Sequence, residues 1–168
     1  MATATDVRAS RLRMSVEGLD GRTVLASVTE TINAPANEIW PFLSAIGAER
    51  IQIPGCTRSA VLEGYGLGAV RRVYFGEVYF DERVLVCDHT AFKLQYEVLE
   101  PSSSPATGVL AAVQLHSSGP EKTIVTWTSG ARRVEQQHED SVKLQAVGFC
   151  QGQIASLRKL TQTAKASS

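Results

Sequence analysis

The segment from about Asp140 to Lys165 is the only stretch of this chain whose pattern predicts a long helix. Apolar residues recur along it at steps of three and four, which gives the helix one apolar side and one charged side. These residues are Leu144, Val147, Cys150, Ile154, Leu157 and Leu160. Such a helix must lie across a partner surface, and because the chain before it reads mostly as short strands, we expect a sheet.

Small and amide side chains interrupt the apolar side of this helix, where a plain core helix would place leucine. They are Gly148, Gln151, Gly152, Gln153 and Ser156. We therefore expect a cavity between the helix and the sheet. The small residues would leave room for a ligand, and Phe149 would form an apolar wall beside it.

The composition is that of an ordinary globular domain. The 168 residues are 43% apolar and 20% charged, which fits one domain by the rule of roughly 100 to 200 residues per domain. The 17 basic and 17 acidic side chains cancel, and no basic cluster is longer than Arg71-Arg72 or Arg132-Arg133. We therefore expect no nucleic-acid partner.

Cysteine and histidine usage gives no sign of a metal site. Cys56, Cys87 and Cys150 are an odd number without a C-x-x-C pair, which predicts free thiols rather than disulfides or zinc ligands. We expect no metal and no cofactor. The N-terminus lacks the apolar run of a signal peptide, and no window approaches the roughly 20 apolar residues that span a bilayer. These patterns predict a cytoplasmic protein without membrane insertion.

The chain divides into a tail, residues 1–22, and one domain, residues 23–165. Weak alternation over Arg11–Glu17, followed by the turn pair Asp20-Gly21, leaves open an additional strand before the first predicted one, Val24–Ile32. Asn33 or Ala34 is then expected to cap a short helix with Pro35 in its first turn. A second short helical piece would end at Ile51.

The strand pattern returns after these helices and continues to residue 131. The glycine-rich segment 64–68 lies between two strands, not between a strand and a helix, so it predicts a turn rather than a phosphate-binding loop. The predicted strands are Ser59–Glu63, Ala69–Phe75, Val78–Cys87, Ala91–Leu99, Thr107–His116 and Lys122–Ala131. Runs of strands with a closing helix predict an antiparallel α+β fold.

Six short pieces in this order resemble the START/birch-pollen-allergen-like (SRPBCC) superfamily, and within it the polyketide cyclase/dehydrase-like branch. They are Ile32-Asn33-Ala34-Pro35 with Ile39-Trp40, Gly66 to Arg71, Glu82-Arg83-Val84, Leu94 to Val98, Trp127, and the closing helix. The resemblance implies a helix-grip fold, with a curved sheet of about seven antiparallel strands around the long helix and a ligand cavity between them. Members bind or transform hydrophobic small molecules, so the fold leaves the function open.

Strand alternation independently predicts the residues that face the cavity. Phe80, Glu82, Val84 and Val86 share one face of their strand, and Cys87 lies on the other. A carboxylate in an apolar row is costly to bury unless it is paired or protonated, so Glu82 is the leading candidate for chemistry. The resemblance also places a glutamate at this position in the pocket. The other predicted wall residues are Phe75, Phe92, Leu94, Tyr96, Val98 and Trp127.

Glu82 has an alternative interpretation as one half of a structural ion pair with Arg71 or Arg72 on the neighbouring strand. The two arginines point to opposite faces, and a slip of one residue in register exchanges them, so the sequence leaves both open. Among the other ionisable groups, His89, His116, His138 and Arg50 are expected to be solvated or structural.

The leading functional hypothesis is a cofactor-free cyclase, dehydratase or isomerase that acts on a hydrophobic polyketide-like or aromatic molecule. The predicted catalytic residues are Glu82, Tyr96, Arg71 and Arg72, and the predicted ligand-binding residues are Phe75, Phe80, Val84, Phe92, Leu94, Val98, Trp127, Phe149 and Gln153. The alternative is a non-catalytic binder or carrier of a hydrophobic small molecule or lipid. A protein-interaction module is a third class, which would need an exposed apolar patch.

Overall fold

The computed structural model describes residues 19–101 and 104–166, with side chains as far as residue 162. The long strands are β1 (Thr23–Ile32), β2 (Arg58–Glu63), β3 (Val70–Phe75), β4 (Val78–Asp88), β5 (Lys93–Glu100), β7 (Leu110–Gly119) and β8 (Lys122–Ala131). The helices are α1 (Ala36–Ser44) and α2 (Glu139–Ala166), and 3-10 turns lie at Glu49–Ile51 and Gln136–His138. Two-residue strands β6 (Ala106–Thr107) and β9 (Arg133–Val134) pair with each other. The two-residue strands were not predicted.

The seven long strands form one curved antiparallel sheet in the order β1-β8-β7-β5-β4-β3-β2. Consecutive strands are neighbours, except that β1 pairs with β8 while β2 lies at the opposite edge. The segment with α1 and the first 3-10 turn therefore crosses from one edge of the sheet to the other. Helix α2 packs against this sheet, so the predicted helix-grip fold is confirmed.

The main core lies between the sheet, α1 and α2. Its buried residues come from nearly every element and include Val28, Ile39, Trp40, Val84, Leu94, Val113, Trp127, Ile154 and Leu157. Helix α1 joins this core through Ala36, Ile39, Trp40 and Leu43. Helix α1 begins at Ala36 because Pro35 has an extended backbone and is the N-cap, so the predicted cap at Asn33 or Ala34 was wrong.

Gly47 is required where the chain leaves α1. Its φ is 98°, and a Cβ atom there would lie 2.8 Å from Cγ2 of Val61. This close approach holds the 3-10 turn Glu49–Ile51 against the edge strand β2. The predicted strand at Arg11–Glu17 lies outside the described residues. The predicted turn is present: Asp20 and Gly21 both have positive φ, and the Arg22 N–H donates to Leu19 O at 3.0 Å.

The side of α2 that faces the sheet differs from the side that the spacing of its leucines predicts. Val142 and Ala146 cover a small cluster at the β1 edge, and Ile154 and Leu157 are buried in the main core. Leu144 follows Val142 by two residues, which is about 200° of rotation around the helix axis. Because Val142 faces the sheet, Leu144 points toward solvent and is 76% exposed. The predicted apolar role of Leu144 was therefore wrong. Within the described ranges, no helix is both long and apolar enough to cross a membrane.

A β-bulge changes the facing pattern of β4. Val84 pairs with Tyr96 but Cys87 pairs with Leu94, so the register slips between the two pairs. Directly paired residues share a face of the sheet, so Cys87 points toward the core with Leu94, and Val86 leaves the face of Val84. Strict alternation had placed both residues on the wrong face.

Truncation of α2 tests which side of the helix grips the sheet. We expect Leu157→Ala to lower the free energy of unfolding by about 2–5 kcal/mol, because it leaves a cavity in the core. Leu144→Ala, on the same helix, should change it by less than about 0.5 kcal/mol. Urea unfolding of both variants measures the difference, and equal losses would contradict this orientation of α2.

Candidate functional site

Arg71 is the centre of a buried polar cluster on the inner face of the sheet. The antiparallel register places Arg71 of β3 directly opposite Glu82 of β4, so both side chains point to the same face. Arg71 Nε donates to Glu82 Oε2 at 2.8 Å, and both residues are buried. The arginine partner that the sequence left open is therefore Arg71.

Arg72 lies on the opposite face of the sheet. Its Nε and Nη2 atoms donate to the two carboxylate oxygens of Asp81 at 2.6 and 2.8 Å. Its guanidinium also lies 4.0 Å from the ring centroid of Tyr79. These contacts take Arg72 away from Glu82, so the structure does not bring this predicted catalytic residue to the cluster.

Glu49 is a third member of the cluster that the sequence did not reveal. It belongs to the first 3-10 turn and is only 5% exposed. Its Oε1 accepts hydrogen bonds from Arg71 Nη1 at 3.0 Å and from the Gly47 N–H at 2.8 Å. Its Oε2 is buried without a hydrogen-bond partner among the residues that the structure describes.

Two amides and a phenol complete the cluster above the arginine. The guanidinium carbon of Arg71 lies 4.7 Å from the ring centroid of Tyr96, in cation–π geometry. Gln52 Nε2 donates to Gln153 Oε1 at 3.3 Å, and this hydrogen bond joins the 3-10 turn to α2. Gln153 is 1% exposed and lies beside the Tyr96 phenol. Within the described chain, its Nε2 makes no hydrogen bond of good geometry.

Charge is not balanced in this cluster. A single guanidinium faces two buried carboxylates, and a buried unpaired charge is expensive. Burial raises the pKa of Glu82, Arg71 lowers it, and Glu49 and Asp81 raise it further, so the direction is upward. Burial likewise raises the pKa of Tyr96. The cluster therefore combines a glutamate whose pKa is raised with a charged arginine and a neutral phenol, and these groups can donate protons or hydrogen bonds.

The predicted apolar wall residues are distributed from the core to the surface. Val84, Leu94 and Trp127 are buried, and Phe92, Val98, Phe80 and Phe75 are half-buried. Phe149 is 42% exposed. Its ring centroid lies 6.2 Å from that of Phe75, which is 5.9 Å from that of Phe80. These three rings form an aromatic cluster where α2 meets the hairpin of β3 and β4.

The histidines do not join the cluster. His116 and His138 are exposed. His89 is also exposed, but its Nδ1 accepts a hydrogen bond from Trp40 Nε1 at 2.9 Å, which makes it an anchor for α1. Across the described ranges, no group of three histidine, cysteine or acidic residues is placed to hold a metal ion.

A pocket of about 450 Å³ lies on the other side of Gln52. One wall is the segment 50–56, which carries the 3-10 turn. The other wall is a face of α2 with small side chains, formed by Gly152, Ala155 and Ser156, and it ends at Lys159. Gly152 and Ser156 were predicted to make room for a ligand beneath the helix, and the space that they line is this pocket. Gln52 belongs to both the pocket and the buried cluster.

The chain is similar to known proteins in its three-dimensional structure. No family model matches the sequence, and no curated protein matches it. The protein XoxI from Bacillus cereus superposes with a TM-score of 0.71 at 18% identity, covering 83% of this chain and 96% of that one. Norcoclaurine synthase from Thalictrum flavum, solved with dopamine and hydroxybenzaldehyde, gives 0.67 at 14% identity, covering 82% and 86%. Ara h 8.0201 gives 0.62 at 16% identity, covering 82% and 97%.

The chain has the START/birch-pollen-allergen-like fold. Identities of this size establish the fold alone, because sites with different chemistry are built on one fold. The fold that the sequence resemblance implied is therefore confirmed.

Removal of Arg71 tests the balance of charge in the buried cluster. We expect Arg71→Met to lower the free energy of unfolding by about 3–5 kcal/mol, because it leaves two buried carboxylates without a counter-charge. Adding Glu49→Gln and Glu82→Gln should restore most of this loss. Thermal or urea unfolding measures both effects.

The matched control is Arg72→Met, which breaks an ion pair on the outer face of the same strand. The Arg72 side chain is 28% exposed and its loss leaves one carboxylate, Asp81, without this partner rather than two, so it should cost less. Equal destabilisation by the two single variants, or no recovery in the triple variant, would contradict the proposed charge balance.

Proposed function

We propose that this protein is a cofactor-free cytoplasmic enzyme, a cyclase, dehydratase or isomerase, that acts on a hydrophobic polyketide-like or aromatic molecule. The observation that carries the proposal is the second buried carboxylate. One glutamate beside one arginine is explained as a structural ion pair. Glu49 adds a further carboxylate at the same guanidinium, and among the described residues its Oε2 has no hydrogen-bond partner.

Glu82 is the proposed proton carrier. Burial raises its pKa, which makes it better suited to act as a general acid than an ordinary carboxyl, and the neighbouring Arg71 stabilises the carboxylate that remains after transfer. In a dehydration, Glu82 would give its proton to a hydroxyl that leaves as water, and the resulting carboxylate would take a proton from the carbon beside a carbonyl. The C–O and C–H bonds break, a C=C bond forms, and Glu82 regains its proton without an added cofactor.

Tyr96 and Gln153 are the proposed hydrogen-bond donors for a substrate oxygen. The phenol stays neutral because burial raises its pKa, so its hydroxyl can donate, and Gln153 Nε2 lacks a well-placed acceptor of its own among described residues. Donors fixed where negative charge develops stabilise a transition state without reorganisation. The surrounding apolar core residues would hold the substrate in a reactive conformation.

A non-catalytic binder or carrier is the second candidate function. The observation that favours it is the direct bond between Arg71 and Glu82, since an ion pair of this geometry also occurs as a purely structural feature. A binder retains its ligand unchanged, whereas an enzyme converts it. Mass spectrometry of the small molecule that co-purifies with the protein, before and after prolonged incubation, separates the two.

Glu82→Gln tests the catalytic role. We expect turnover of the identified substrate to fall by roughly 100- to 10,000-fold, the usual contribution of one general acid or base. The dissociation constant should change by less than about threefold, because the amide keeps the size of the side chain. Stopped-flow or chromatographic assays of turnover and calorimetry of binding measure the two quantities.

Glu63→Gln is the matched control, since it makes the same exchange of a carboxylate for an amide at an exposed position of the edge strand β2. Its turnover should stay within about threefold of that of the unmodified protein once the folded fraction is equal. Full activity of the Glu82→Gln variant would contradict the acid–base role of Glu82.

A further inference from the structure

The pocket between residues 50–56 and α2 has the properties of a ligand site separate from the buried cluster. Its volume of about 450 Å³ falls in the range of roughly 300–1,000 Å³ that is usual for small-molecule sites. It opens at the surface rather than beneath the helix. None of the predicted catalytic residues and none of the predicted apolar wall residues of the internal cavity lines this pocket.

The chemistry of the lining is asymmetric. Ile51, Ile53 and Pro54 supply apolar surface on one wall. Arg50 and Lys159 supply a positive charge from each wall, and among the described lining residues none is acidic. An apolar surface with two cations and no carboxylate complements a molecule that has an apolar body and one anionic group.

The small residues of α2 keep this pocket open. A Cβ atom added at Gly152 would meet only Pro54 Cγ, at 3.8 Å, which is ordinary contact. An alanine would therefore fit, while a longer side chain would extend into the space between the two walls.

We infer that the pocket lined by Arg50, Gly152 and Lys159 binds an amphipathic organic anion, a molecule with an apolar ring or chain and a carboxylate. The carboxylate lies between Arg50 and Lys159, and the apolar body lies on Ile51 and Pro54. This inference does not depend on the proposed enzymatic activity, because the pocket and the buried cluster share only Gln52.

Three naphthalene derivatives that differ only in charge provide the test. They are 1-naphthaleneacetate, 2-(1-naphthyl)ethanol and 2-(1-naphthyl)ethylamine, which carry an anionic, a neutral and a cationic group on one ring system. Binding is measured by titration calorimetry and by two-dimensional NMR of the full chain at low salt. We expect the acetate to bind roughly four- to 25-fold more tightly than the alcohol, since each cation contributes about two- to fivefold. The amine should bind most weakly, and the shifted amide signals should map to residues 50–56 and 152–159.

Charge variants then test the two cations. Arg50→Gln and Lys159→Gln should each weaken binding of the acetate by roughly two- to fivefold, the usual size of a solvent-exposed ion pair. Neither should change binding of the alcohol. The effect should diminish in high salt because exposed charges are screened.

Glycine variants on one helix test the location. Gly152→Leu should abolish binding of the acetate by filling the pocket, while Gly148→Leu, one turn earlier and with open space around its Cβ position, should leave it unchanged. If Gly152→Leu does not fold, Ala155→Glu introduces a carboxylate at an exposed lining position and should also abolish binding. Equal affinity for all three naphthalenes, no binding of any of them, or the same loss with Gly148→Leu would overturn the inference. Each of these outcomes leaves the activity of the Glu82 cluster unaffected.

Discussion

The guanidinium of Arg71 is the interaction on which the interior of this protein depends. It bonds Glu82 on the neighbouring strand and Glu49 on the 3-10 turn, and it lies against the ring of Tyr96 on a third strand. These contacts join the 3-10 turn to three consecutive strands of the sheet. Because the cluster is buried, each bond is formed in a medium of low dielectric, where a missing partner is costly.

The same constraint accounts for the unusual composition of α2. Most of its buried residues are apolar, as a helix across a sheet requires. Gln153 interrupts that pattern because it faces the phenol and the amide of Gln52 rather than an apolar neighbour. Gly152, the residue before Gln153, lines the surface pocket instead. One side of α2 therefore contacts the buried polar cluster, and the adjacent side lines the surface pocket.

Much of the fold could be predicted because its signals are periodic. The strands from Arg58 to Ala131 and the closing helix follow from residue spacing within a few residues of their bounds. Glu82 could be singled out because a carboxylate interrupts an apolar row. The face of Cys87 could not be predicted, since a bulge inserts a residue and no local pattern marks it.

Glu49 could not be predicted because it lies in a short 3-10 turn, where no alternation defines an inward side. The choice between Arg71 and Arg72 depended on strand register, which is a tertiary property. Phe149 also shows the limit of helical spacing, because its exposure depends on the rotation of α2 about its axis. Positions within periodic elements were therefore accessible from sequence, whereas the partners brought together by loops and register were not.

The proposed activity depends most on the protonation of Glu82. Its side-chain carboxyl carbon can be followed by NMR as a function of pH in protein labelled with ¹³C, with the Glu82→Gln variant giving the assignment. Two carboxylates at one buried guanidinium predict a titration midpoint for Glu82 above its ordinary value of 4.5. A midpoint at or below 4.5 would show that Arg71 fully stabilises the charged form, and it would contradict the role of Glu82 as a proton donor.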